Sequence, residues 1–204
     1  LYQLANPGTN IVFAIGPAGT GKTLLCTQMG IKAYMEREVS RIVITRPAVS
    51  VDEQHGFLPG DLNEKMAPWT RPIFDIFEKH FTMVQIENML AENIIEIAPL
   101  AYMRGRTFED SWIIADEMQN ATKSQMKMLL TRIGNNTKMI VTGDLKQHDR
   151  GFSENGLSDF IQLVDHFEKD EHNLSHISIS QFDMQDVERH PAVIEILEIY
   201  GEDE

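Results

Sequence analysis

The chain has 204 residues, 42% hydrophobic and 24% charged, with a formal net charge of −13 at pH 7. It is too apolar for intrinsic disorder, and its apolar runs are too short for a membrane-spanning helix. One cysteine, Cys26, excludes an internal disulfide framework and fits a reducing compartment.

The start, Leu1-Tyr2-Gln3-Leu4, has neither the basic nor the apolar region of a signal peptide. Charge is uneven: residues 151–204 hold 14 acids against Lys169 and Arg189, whereas residues 1–150 are nearly neutral. Net acidity argues against a phosphate-rich partner, but the neutral portion leaves room for a local basic face.

No repeat, low-complexity tract or long linker divides the chain, so one domain over residues 1–204 is expected. Ile11-Val12-Phe13-Ala14-Ile15 reads as a buried strand, followed by a glycine-rich loop and a helix over about 22–37. A second strand covers 42–45. Residues 61–80 read as helical, with Pro68 and Pro72 expected to break or start segments. Further strands are expected at 94–97 and 112–115. Met126, Leu129, Leu130 and Ile133 recur at helical spacing ahead of a strand at 138–142. A helix near 155–167, a strand near 176–180 and a helix over 191–200, closed by Gly201, complete the chain. Continuous apolar strands alternating with helices predict an α/β fold: a largely parallel central sheet covered on both faces.

Between the first strand and its helix stands Gly16-Pro17-Ala18-Gly19-Thr20-Gly21-Lys22-Thr23, a match to G-x-x-x-x-G-K-[ST] in the context that motif requires. Small residues let backbone N–H groups close on phosphate oxygens at the positive end of a helix. Lys22 is placed for β- and γ-phosphates, and the Thr23 hydroxyl for Mg²⁺. Trp112-Ile113-Ile114-Ala115 ends in Asp116 and Glu117. Asp116 is expected to hold Mg²⁺ and Glu117 to act as the general base toward water, which disfavours a small-molecule kinase. A merely solvated strand end is the plain alternative. Asp144 and Gln147, just beyond the 138–142 strand, point toward the same crevice. Gln147 would sense the γ-phosphate or position water, and Asp144 would either share that work or cap a turn.

GPAGTGKT (16–23), ITRPAVS (44–50), GFLPGDLNEKMAPW (56–69), PLAYMRGRTFEDSWIIADEMQNAT (99–122), VTGDLKQHD (141–149) and DVERHPAVIEILEIY (186–200) resemble the PhoH family. The resemblance implies a RecA-like P-loop ATPase related to the core of superfamily 1 helicases and linked to RNA metabolism. It also implies ATP and Mg²⁺, a cytoplasmic location, and a homo-oligomeric ring such as a hexamer. Asp116-Glu117-Met118-Gln119 is similar to the helicase Asp-Glu-x-Gln motif, and Gly143-Asp144 with Gln147 to Gly-Asp-x-x-Gln. Met118 and His148-Asp149 depart from the family's common Ala and Ile-Asp.

Arg46 follows a strand end where related helicases touch nucleic-acid backbone. Arg104-Gly105-Arg106 offers two guanidinium forks for phosphates of RNA or single-stranded DNA, or for pairing with Glu109 or Asp110. Tyr102, Phe108 and Trp112 permit base stacking in principle, although such residues beside a strand usually belong to the core. Histidine spacing fits no zinc site, and Cys26 reads as a buried helix residue. Arg189, ahead of the last helix, is expected to meet the γ-phosphate, in trans across a subunit contact, because the chain is too short for a second ATPase core. The alternative function is a nucleotide-dependent oligomeric switch acting on protein partners without motor activity.

Overall fold

The computed structural model describes residues 1–47, 62–146, 155–170, 172–188 and 190–200. Six strands form one sheet: β1 (Ile11–Ile15), β2 (Arg41–Thr45), β3 (Ile95–Ile97), β4 (Ser111–Ala115), β5 (Lys138–Gly143) and β6 (Ile177–Gln181). Their spatial order is β3-β2-β4-β5-β1-β6, and every pairing is parallel. Side chains alternate between faces along each strand, so each apolar run feeds two cores.

Phe13, Val43, Ile113 and Val141 lie in one core, with Met126 and Leu129 of α5 (Lys123–Leu130) and Leu157 and Ile161 of α6 (Gly156–Lys169). Val12, Ile42, Ile114 and Ile140 lie in the other. There they meet α1 (Tyr2–Ala5), α2 (Lys22–Met35), α3 (Leu62–Phe77) and α4 (Met83–Ala91) through Leu4, Ile31, Phe77 and Met89. Helices on both faces of an all-parallel sheet make this an α/β fold of the RecA-like P-loop kind. A final helix, α7 (Pro191–Tyr200), leaves Val193, Ile196 and Ile199 exposed.

Three local expectations need correction. α3 runs unbroken through Pro68 and Pro72. Each proline removes one helical donor, but Ile73, Ile76 and Phe77 are buried on the sheet, and their burial at about 1.5–3 kcal/mol each offsets that loss. α4 was not anticipated, although its start carries a reciprocal capping box between Thr82 and Gln85. α5 stops at Leu130, so Ile133 follows the helix and bridges to Phe108 instead.

Candidate active site

The carboxyl ends of β1, β4 and β5 converge, and the loop from Gly16 to Gly21 closes over them. Gly16 N–H donates to the Gly143 carbonyl at 3.1 Å, pinning the loop to β5. Gly19 and Gly21 hold φ of +85° and +76°, where a side chain would be strained. The Thr20 hydroxyl donates to the Pro17 carbonyl at 3.0 Å, stiffening the turn across Ala18. Lys22 opens α2 and folds back. Its Nζ donates to the carbonyls of Gly16 (2.8 Å) and Pro17 (2.6 Å) and to Thr20 Oγ1 (3.2 Å). Burial pushes its pKa down, while Asp144, Glu117 and Asp116, in that order, favour the charged form.

Thr23 Oγ1 donates to Asp116 Oδ1 at 3.0 Å, and Thr142 Oγ1 donates to the same oxygen. Asp116 is therefore held by hydroxyls from α2 and β5, with its own N–H on the Thr45 carbonyl at 2.9 Å. Glu117 has left-handed backbone, φ +54° and ψ +39°, an uncommon conformation for this residue type. Its Oε2 accepts from Gln119 Nε2 at 2.5 Å. Asp144 Oδ1 accepts from Lys146 N–H at 2.9 Å, so it does cap a turn, and it also borders the cavity. That cavity, about 280 Å³, is lined by Ala18, Gly19, Gly21, Lys22, Thr23, Leu24, Asp116, Glu117, Thr142, Gly143 and Asp144.

Gln147 and Arg189 lie outside the described residues. The segment after β6 does reach the loop: Phe182 N–H donates to the Ile15 carbonyl at 2.7 Å and Glu188 N–H to the Gly19 carbonyl at 3.3 Å. Arg46 is half-buried beyond β2 and borders a small void with Trp69, Thr70 and Asp116. Arg104 is exposed. Arg106 forms a fork on Glu96 at 2.5 and 3.0 Å and lies 4.5 Å over the Phe108 ring, a partner that spacing alone did not disclose. Phe108 and Trp112 are buried, which removes them as stacking platforms, whereas Tyr102 is 65% exposed. Trp112 Nε1 donates to the Cys26 carbonyl at 3.0 Å. Burial pushes the Cys26 thiol well up, leaving it inert. Gln3 sits at the far end of the sheet, where Lys138, the first residue of β5, donates to its carbonyl.

A profile of the family described as PhoH-like protein matches residues 2–201. The chain belongs to the PhoH-like family. It is 44% identical over 199 residues to a PhoH-like protein of Bacillus subtilis (strain 168), covering 98% of this chain and 60% of that protein. A PhoH-like protein of Mycobacterium tuberculosis (strain ATCC 25618 / H37Rv) is 42% identical over 201 residues, 98% of this chain and 55% of its own length. Protein PhoH of Escherichia coli (strain K12) is 45% identical over 174 residues, 83% of this chain and 48% of its own. This PhoH-like chain therefore spans between about half and three fifths of those relatives. Its parallel sheet and glycine-rich loop fit nucleotide binding, and among the described residues no helix is long and apolar enough to cross a membrane.

Two residues of this PhoH-like site escaped the sequence reading. Thr142 was read only as the end of a strand, and Gln119 only as a letter in a motif. Thr142 meets Asp116, and Gln119 meets Asp144, only once segments far apart in sequence come together, although Gln119 also reaches Glu117 two positions before it.

Proposed function

We propose that this chain binds ATP with Mg²⁺ and hydrolyses it, and that hydrolysis serves binding or remodelling of RNA or single-stranded DNA. One observation carries the catalytic half: Lys22, Thr23, Asp116 and Glu117 border a single cavity at the positive end of α2. The Thr23 hydroxyl and the Asp116 carboxylate are hard oxygen donors side by side, the donor set Mg²⁺ takes while keeping water and phosphate ligands. When bound, Mg²⁺ would neutralise charge on the β- and γ-phosphate oxygens.

The chain's own residues supply the rest. The loop amides from Gly16 to Thr23 cradle the phosphates, and Lys22 exchanges the carbonyls of Gly16 and Pro17 for phosphate oxygens. Glu117 orients a water for in-line attack and takes its proton as the new P–O bond forms. The bond to the β–γ bridging oxygen breaks, giving ADP and inorganic phosphate. Gln147 is assigned to the γ-phosphate or its water, and Arg189 to the charge that spreads over the γ-phosphoryl group.

The nucleic-acid half rests on charge and exposure. Residues 97–108 and 118–143 contain no Asp or Glu; of their cations Arg106 is paired with Glu96 and Lys123 with Asp159, while Arg104 and Lys127 are exposed. Arg132 Nη1 on the Arg106 carbonyl at 3.2 Å ties the two stretches together. Exposed Tyr102, Arg104 and Lys127 combine cations with an aromatic face, the elements of single-strand binding, and Arg46 adds a cation beyond β2. A second reading, the oligomeric switch, is favoured by the exposed apolar side chains of α7. It would be served by a homo-oligomeric ring such as a hexamer.

Lys22→Ala should abolish nucleotide binding and turnover together while the fold persists. Glu117→Gln should retain binding while hydrolysis drops about 10²–10⁴-fold. Calorimetric titration with a nonhydrolysable ATP analogue and a phosphate-release assay separate the two. Wild-type turnover in Lys22→Ala would overturn the ATPase reading. Turnover indifferent to RNA, with ATP-dependent assembly measured by mass, would select the switch.

A further inference from the structure

We propose that Gln119 is the positioning residue of this site: a single side-chain amide that aims Glu117 and fastens it to the end of β5. The inference rests on the reading of Glu117 as general base and goes beyond it by naming what holds that base in place.

The contacts are specific to an amide. Gln119 is 4% exposed and lies in the short helical turn after β4. Its Nε2 donates to Glu117 Oε2 at 2.5 Å, and its Oε1 accepts from the Asp144 N–H at 3.3 Å. A glutamate at 119 would face the Glu117 carboxylate with a second carboxylate. A leucine would leave the buried Asp144 N–H without its acceptor. The surroundings are shaped to this side chain. A Cβ added to Gly143 would stand 2.9 Å from Gln119 Oε1 and 2.5 Å from Leu157 Cδ2, so a side chain there would have to displace the amide or Leu157.

Glu117 needs such support. It stands at the cavity with left-handed backbone, so the turn that follows fixes where its carboxylate points. Gln119 closes the ring: Glu117 carboxylate to amide, amide to the β5 end, and β5 through Thr142 back to Asp116. The two acids are thereby referred to one strand, and a shift of the β5 end would be felt at Glu117 through Gln119. A general base misplaced by about 1 Å loses up to about 10²-fold in rate, which sets the scale expected here.

The test compares Gln119→Leu and Gln119→Glu with wild type and with Glu117→Gln, measuring kcat, KM, affinity for a nonhydrolysable ATP analogue, and Tm. Gln119→Leu is expected to lower kcat about 10- to 100-fold with analogue affinity unchanged, and Gln119→Glu to lower it further. In the Glu117→Gln background either substitution should add nothing, because the group it positions is already disabled. Equal losses with and without Glu117, or a loss of analogue affinity matching the loss of kcat, would overturn the proposal. So would wild-type kcat in either folded variant. If Gln119→Leu does not fold, Gln119→Glu, which keeps the acceptor for Asp144, decides alone. Full activity in Glu117→Gln itself would instead remove the general-base reading on which the proposal rests.

Discussion

Arg104 and Arg106 are separated by one glycine, yet their surroundings assign them different work. Arg106 is spent on Glu96, with Phe108 beneath its guanidinium, while Arg104 is exposed. If Arg104 meets a phosphate of RNA, Arg104→Ala should reduce the slope of log affinity against log salt by roughly one unit. Arg106→Ala should leave that slope unchanged and destabilise the fold by about 1 kcal/mol, a modest figure because the pair is partly open to solvent. Fluorescence anisotropy across a salt series, beside thermal melts, reads both effects. Equal slopes for wild type and Arg104→Ala would return Arg104 to the solvated surface. The contrast also shows how far residue identity reaches. The fork geometry of arginine is legible from the letter alone, but Glu96, ten positions upstream on β3, becomes its partner only once the chain turns back.

Among the elements, α4 offers the clearest test of local coding. Thr82 Oγ1 accepts from the Gln85 N–H at 3.3 Å, and Gln85 Oε1 accepts from the Thr82 N–H at 2.8 Å. Thr82→Ala should cost about 1 kcal/mol, seen as a lower denaturation midpoint with an unchanged slope, because only an exposed cap is lost. An unaltered midpoint would show that burial of Ile86 and Met89 alone sustains the helix. The cap was present in the sequence as Thr-x-x-Gln ahead of an apolar run, so this helix was legible and missed. α3 failed for a different reason. Its prolines are locally unfavourable, and only packing against the sheet, a tertiary effect, overrides them. The strands were the most legible part, since apolar runs such as Ile11–Ile15 need no distant partner to be recognised. The loop from Gly16 to Thr23 and the Asp116-Glu117 pair were legible as separate motifs, and the structure brings them to one cavity. The hydroxyl of Thr142 and the link from Gln119 to Asp144 were not, because those partners come from other strands and turns.

For the whole molecule, the open question is whether a site is completed within one chain. The expectation from sequence is an arginine in trans. The Glu188 N–H donates to Gly19 of its own chain, while Arg189 lies outside the described residues. Mixing Arg189→Ala with Lys22→Ala protein discriminates trans from cis. Under the cis arrangement the mixture stays inactive despite subunit exchange followed by mass measurement. Recovered phosphate release would establish a shared site, and with it a closed assembly.

The strand order has a consequence for how the protein is made. Among the six strands β1, which leads into the glycine-rich loop, precedes the others in the chain, but both of its neighbours, β5 and β6, follow β2, β3 and β4. The opposite half, β2 with β3 and β4, can zip together while the remainder is still being translated. β1 thus stays an apolar segment with two bare edges until β5 and β6 have been made, and the glycine-rich loop takes shape only as those two strands close around it.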